Sequence, residues 1–340
     1  MLGAPIFLFI RLQIDRFSVI TRAMGEHLSY ALILLLALGV EGAVGWPRAL
    51  FARIGHPVTW MGTVIGWADR ACNRDSADPA LRRAAGVAVV IGLCSAVWML
   101  AALAQSLLPG GWQGVVLAGL LAWPLIAARS LFDHVRAVAR PLGKGDLAAA
   151  RKAVAMIVGR DPNRLDQAGV ARAALESLGE STCDGVVAPI FWGVLFGLPG
   201  IATYKLINTM DSMIGHLSPR HAAFGWAAAR LDDVVNLVPA RLSGLLFVLV
   251  SGKIRASWSV MLLDGAKHRS PNAGWPEAAL AGALGVRLSG PRIYDGVLTD
   301  EPWVNASAFD PTPLDVAYGL EVFLKAMALQ AAVLAVLAVL

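Results

Sequence analysis

Four stretches of this chain, Ser29–Trp46, Ala84–Leu108, Gly114–Ala128 and Gly319–Leu340, are apolar over lengths suited to burial in a lipid bilayer. A helix rises about 1.5 Å per residue, so roughly 20 apolar residues match the ~30 Å hydrocarbon core. A bilayer offers no water to backbone N–H and C=O groups, which restricts a spanning chain to helices or a closed barrel. These runs are continuous rather than alternating, and that selects helices. Val186–Leu206 and Leu242–Leu263 are also apolar but broken. Pro189, Gly193, Gly197, Pro199 and Gly200 interrupt the first; Lys253 and Arg255 interrupt the second. Broken helices are tolerated at membrane depth where they pack on protein or line a cavity. The expected fold is all-α: a polytopic integral membrane protein with four transmembrane helices, two broken or re-entrant ones, and cytoplasmic helical segments that carry the site.

Of 340 residues, 57% are hydrophobic and only 16% charged, which excludes an ordinary soluble globule. The formal charge of +5 follows from the positive-inside rule and needs no nucleic-acid partner. Loop 47–83 carries Arg48, Arg53, Arg70, Arg74, Arg82 and Arg83, and segment 129–185 is equally rich in arginine and lysine. The turn Pro109–Gly111 has no basic residue, so it belongs outside and the two basic segments belong in the cytoplasm. No basic stripe interleaved with aromatics suggests nucleic acid. Residues 1–28 read as an interfacial segment or a start placed too early, with Met24 as the beginning, and 29–340 as a single membrane-embedded domain. Cys72, Cys94 and Cys183 are too scattered for a disulfide framework or zinc site, and His216 and His221 read as loop polar groups.

Against this apolar background, residues 157–236 concentrate charge. Arg172, Glu176, Glu180 and Asp184 recur every four residues, and a helix would align them on one face. One arginine cannot balance three acids as a salt-bridge ladder, so the stripe reads as a site awaiting a cation. Asp211 and the Asp232–Asp233 pair follow beside strongly apolar sequence, where unpaired carboxylates are costly. Asp232 and Asn236 share a helical face near Arg230 and Arg241, a set suited to magnesium with substrate phosphate. Gly55-His56-Pro57 makes a turn at the end of the first span. Asp146 and Asp166 are expected to begin helices. There is no P-loop, nucleophile elbow or zincin motif.

The strings GHPVTWMG (55–62), ARAALESLGESTCDGVVAPIFW (171–192), GLPGIATYKLINTMDSMIGH (197–216), FGWAAARLDDVVNLVPARL (224–242) and HRSPNAGWPEAALAGALGVRLSGPRIYDG (268–296) resemble the adenosylcobinamide-phosphate synthase family. GDLAAARKAVAMIVGRD (145–161) adds a sixth match, and the resemblance runs in register from Leu28 to Asn305. The chain departs from the family at Glu180-Ser181-Thr182, where Glu-Asn-Thr is usual, and near His216 and His221, where tyrosines are common. The resemblance implies a carbon–nitrogen ligase of cobalamin biosynthesis in the inner membrane. Its corrinoid substrate, adenosylcobyric acid, would be joined to aminopropanol or its phosphate at the expense of ATP with Mg²⁺, and a partner enzyme could deliver the amine.

Residue chemistry then distributes the roles. Glu176, Glu180, Asp184, Asp232 and Asp233 are the expected metal and nucleotide ligands, while Arg160, Lys205, Arg230 and Arg241 would contact phosphates or corrin carboxylates. Asp211 or His56 is the candidate base. Asn272 and Trp275, in a segment rich in small residues, would face the corrin. Both broken segments are expected to dip and return, because crossing would leave Asp211 and Asp232–Asp233 outside, away from ATP. Asp-rich sequence near Lys205 also permits an aspartate-rich membrane prenyltransferase, and intramembrane charge permits a transporter.

Overall fold

The computed structural model describes residues 30–158, 162–294, 297–299 and 301–340, so the segment 1–28 and Arg160 lie outside the described residues. The chain is built of helices with two short β-ribbons. Four helical stretches are long and apolar enough to cross a membrane: Pro79–Ser106, Gly111–Gly143, Gln167–Ile214 and Pro313–Leu337. Two bent helix pairs pass the same test together.

The first helix, α1 (Tyr30–Val44), is joined through a 108° bend to α2 (Arg48–Ile54) and α3 (Pro57–Cys72). The first expected span, Ser29–Trp46, is described from Tyr30 to Val44 and forms the first half of a bent pair. Pro57 at the first helical position and the His56 side chain, which accepts from the Val58 N–H at 3.2 Å, start α3. Helix α4 (Pro79–Ser106) is the longest uninterrupted apolar helix, with Asp78 as its cap. Helix α5 (Gly111–Ala122) is expected to cross alone, but after a short 3₁₀ turn at Trp123–Leu125 the helical stretch resumes as α6 (Ala128–Gly143). Glu41 of α1 receives the Arg129 N–H of α6 at 2.6 Å, satisfying an orphan donor at that break. Helix α7 (Leu147–Val154) begins on Asp146 and α8 (Gln167–Thr182) on Asp166, where the sequence puts them.

Helix α8 forms the centre of the core; Val170, Ala171, Ala173, Ala174, Leu175 and Leu178 are all buried. It passes through one wide π turn, Cys183–Val187, into α9 (Ala188–Ile214). The Gly185 carbonyl within that turn is taken by the Ala127 N–H at 2.9 Å, which draws it towards α6.

Helix α9 is not straight. Gly197 has φ +65°, outside the helical region, and Pro199 follows it. A Cβ on Gly193 would touch the Ile201 Cβ at 3.4 Å, and one on Gly200 would strike the Trp192 carbonyl oxygen. Residues eight apart on a straight helix are about 12 Å apart along its axis. The arms 188–196 and 198–214 therefore run antiparallel, as a re-entrant hairpin. Its tip is held by Gln105 near the end of α4: Oε1 accepts the Leu198 N–H at 2.8 Å and Nε2 donates to the Tyr30 hydroxyl at 3.1 Å.

The second broken segment behaves alike. Helices α11 (Leu237–Val250) and α12 (Ile254–Asp264) reverse at Ser251–Lys253, with Gly244 packed against Met261. Helix α13 (Gly274–Leu284) returns along α12, where the Ser257 hydroxyl donates to the Ala279 carbonyl at 2.7 Å. Both broken segments are thus chain reversals, the geometry that the expected dip and return requires. Strand β1 (Leu288–Ser289) pairs antiparallel with β4 (Trp303–Val304), and β2 (Arg292–Tyr294) pairs with β3 (Val297–Thr299). These ribbons precede the last helix, α14 (Pro313–Leu337), which starts in a capping box of Thr312 and Asp315.

Candidate active site

The hairpin brings Lys205 and Asn208 of its returning arm back beside Asp184 in the π turn. The Lys205 ammonium donates to the Asp184 carbonyl at 3.3 Å and to Asn208 Oδ1 at 3.4 Å. Asn208 Nδ2 in turn donates to Asp184 Oδ2 at 3.2 Å. Helix α10 (Trp226–Val235) closes the other side, ending at the buried Asn236. Asn236 donates to Asp232 Oδ2 at 3.0 Å and accepts from the Tyr204 hydroxyl at 2.9 Å. Asp184, Asp211 and Asp232 come close enough to repel one another, and the buried Lys205 ammonium offsets Asp184 and Asp232.

Asp184, Asp211, Asp232 and Asn236 line one cavity of about 490 Å³. Its buried end carries Cys183, Asp184, Asp232, Asn236 and Asn272, and its exposed end carries Glu180, Arg230, Arg269 and His216. Asp232 Oδ1 and Asn272 Oδ1 are buried without a hydrogen-bond partner among the described residues. Buried acceptors are costly when unpaired, so two of them at one cavity call for a donor or a cation. Asn272 is itself fixed by a 2.7 Å bond from Nδ2 to the Asp233 carbonyl. The loop after α9 is tied down by Arg220, which donates to Asp69 at 2.9 Å and reaches Asp75 at 3.3 Å. Its hydrogen bond to Asp69 and that carboxylate's charge push the Arg220 guanidinium above its ordinary range.

The sequence-predicted residues divide. Glu180, Asp184, Asp211, Arg230, Asp232, Asp233 and Asn272 all line the cavity. Lys205 lies directly behind Asp184. Asp233 is half-turned away and holds Arg230 at 3.1 Å. The four-residue stripe does not stay on one face. Arg172 pairs with Asp310 and lies 4.7 Å over the Trp303 ring, on the side of the β-ribbons. Glu176 is buried there too, accepting the Ser289 N–H of β1 at 2.8 Å, so it anchors a strand and is absent from the cavity wall. Arg241 and Trp275 stack on each other at 4.4 Å and do not line the cavity. His56 also lies off it, spent as the cap of α3 and packed edge-on against Trp46 at 4.9 Å.

Among the described residues no group of three or more His, Cys, Asp or Glu side chains is arranged to hold a metal by itself, so the expected five-carboxylate set does not assemble. The arrangement fits a more open ion, held by Asp184 and the unpartnered Asp232 Oδ1 and completed by water and a phosphate-bearing substrate, which is magnesium's usual habit. Tyr204, Asn208 and Arg269 belong to the site and carry no assigned role in the sequence reading. The spacing Tyr204–Asn208–Asp211 on a helix gave a signal for the first two, whereas Arg269 reaches the cavity only through the tertiary fold.

Fold and site together define a polytopic helical membrane protein with an acidic cavity between a helical hairpin and the short helix α10. The chain belongs to the CobD/Cbib protein family, whose model matches residues 34–323. Relatives in the family are named cobalamin biosynthesis protein CobD. The one from Rhodobacter capsulatus is 55% identical over 313 residues, covering 92% of this chain and 99% of that protein. Those from Brucella suis and a Sinorhizobium species are 47% and 46% identical, covering 81% and 88% of this chain and 86% and 95% of theirs. The family resemblance read from the six motifs is thereby established, and it places the chain among cobalamin-biosynthesis proteins. No solved structure matches the chain.

Proposed function

We propose that this protein is the amide-forming enzyme of its pathway, joining aminopropanol or its phosphate to a propionate of adenosylcobyric acid with ATP. The observation that carries the reading is the pair of unpartnered buried acceptors, Asp232 Oδ1 and Asn272 Oδ1, facing an acidic cavity with arginines at its exposed end. An amine arriving as an ammonium donates to Asn272 Oδ1, Asp232 Oδ1 is left for Mg²⁺, and Arg230 and Arg269 suit phosphate.

ATP would supply the activation: its γ-phosphoryl group passes to a propionate oxygen as the bond to the β-phosphate breaks, giving an acyl phosphate and ADP. Asp184 and Asp232 would hold Mg²⁺ against the phosphates. Asp211, in the same cavity, takes the proton from the ammonium. The freed nitrogen attacks the carbonyl carbon, the carbon–oxygen bond to phosphate breaks, and inorganic phosphate leaves with the second nitrogen proton. Arg230 and Arg269 neutralise the departing charge. Asn236, braced by Tyr204, keeps Asp232 turned so that Oδ1 remains free.

Membranes containing the wild-type chain, given adenosylcobyric acid, ATP and either amine, are expected to form a product equal in mass to acid plus amine less one water. Asp232→Asn is expected to abolish it at unchanged membrane abundance. Full turnover by that variant, or no product with either amine, would overturn the proposal. The family match favours this reading over a prenyltransferase or a transporter.

A further inference from the structure

A second cleft, of about 550 Å³, opens between α1, α6 and α14 and shares no residue with the acidic cavity. We propose that it is a binding site for one anionic phospholipid, with the headgroup phosphate on Arg136 and an acyl chain running between α1 and α14.

The cleft has the polarity such a lipid requires. Leu35 and Leu38 of α1 and Phe323 and Met327 of α14 form apolar walls within segments that pass the length and composition test for membrane helices. Gly39 and Gly42 present bare backbone to open space, with no atom within 4 Å of where a Cβ would stand. A lipid chain can fill that channel along its length, whereas a helix would need a broader face.

Charge enters at one end only. Arg129 and Arg136 both line the cleft, and its lining has no carboxylate. Arg129 is already committed, to Asp133 at 2.8 Å and to the Gly42 carbonyl at 3.2 Å. Glu41, the acid on the facing helix, is occupied by the Arg129 backbone N–H. Arg136 lies 5.8 Å from the Phe132 ring centre and makes no ion pair among the described residues.

The charged end also sits at the correct depth. Helix α1 starts at Tyr30, tied to Gln105 near the end of α4, and finishes beside Arg129, close to the arginine-rich loop. The cations therefore lie at one membrane face, and the apolar channel leads from them towards the other. A free phosphate would have no use for the channel, and a neutral lipid none for Arg136.

The test uses the purified full chain in detergent, with thermal unfolding measured against added phosphatidylglycerol, phosphatidylcholine of the same acyl chains, or inorganic phosphate. The wild type is expected to be stabilised at severalfold lower concentration of phosphatidylglycerol than of phosphatidylcholine, and not by phosphate. Arg136→Gln is expected to weaken phosphatidylglycerol about fivefold, equivalent to ~1 kcal/mol for one cation at an anionic headgroup, and to leave phosphatidylcholine unchanged. Gly39→Leu, which fills the channel, is expected to remove the response to phosphatidylglycerol. Equal response to both lipids means an ordinary lipid annulus and overturns the proposal, as does stabilisation by phosphate alone or an unchanged preference in Arg136→Gln. Neither position belongs to the acidic cavity, so corrinoid amidation by both variants tests the proposed function separately.

Discussion

Replacing Gly200 with alanine separates a re-entrant hairpin from a straight transmembrane helix by the sign of its effect. In a straight helix, alanine is favoured over glycine by roughly 0.5–1 kcal/mol, because glycine loses more backbone freedom on folding. In the hairpin, the new methyl group would lie on the Trp192 carbonyl oxygen and 2.9 Å from the Phe196 Cβ. Overpacking of this kind costs about 1–3 kcal/mol, and here the offended atom is backbone that cannot swing aside. The strain exceeds the propensity gain, so Gly200→Ala is expected to destabilise by about 1–2 kcal/mol net. Gly185→Ala is the control, since its nearest new contact is the Ala127 Cβ at an ordinary 3.5 Å, and no loss is expected there. Thermal unfolding in detergent, followed by the fraction remaining monodisperse, compares the two with wild type. A Gly200→Ala protein as stable as the wild type, or more so, would refute the fold-back.

Glu176→Ala is expected to cost about 1–3 kcal/mol by leaving the buried Ser289 N–H without its acceptor, yet to keep full turnover per folded molecule. Activity assays normalised to folded protein check this against Asp232→Asn, and a well-folded but inactive Glu176→Ala would return that carboxylate to the site. Asp310 is held down to about 2 by its hydrogen bond from Arg287, with burial opposing and Arg172 assisting. The depressed value means its contribution is complete above the usual carboxylate range near 4 and is lost as pH falls through about 2. Unfolding curves of wild type and Asp310→Asn should therefore differ by a constant amount from pH 7 to 5 and converge towards pH 2, and a gap that stays constant to pH 2 would contradict the pairing. If both broken segments return to the membrane face they left, Ser218→Cys is expected to react with an impermeant thiol reagent only from the arginine-rich face, and labelling from the opposite face would contradict that topology.

The membrane helices were legible because burial in lipid demands a run of apolar residues whatever they later touch. The same simplicity hid where each helix stops: the bend after Val44 and the resumption of helix beyond Leu125 depend on Glu41 capping α6 across 88 positions of sequence. Gly197 and Pro199 announced a break in α9, but a break does not say whether the chain continues or reverses. That outcome rests on Gln105 and on the small faces of Gly193 and Gly200, which let the two arms close.

The acidic site was legible for a related reason, since carboxylates stand out against apolar neighbours. Its partition was not. Four charges at i, i+4 share a face only while the helix stays α-helical and faces a single partner. Here α8 packs its first turns against the β-ribbons, so Arg172 and Glu176 are consumed by Asp310 and Ser289, and only Glu180 and Asp184, at and beyond the end of α8, face the cavity beside α10. What decides membership of the site is therefore which element each turn of α8 meets. That depends on the hairpin returning Asn208 to within 3.2 Å of Asp184, a contact between residues 24 apart that the four-residue period cannot encode.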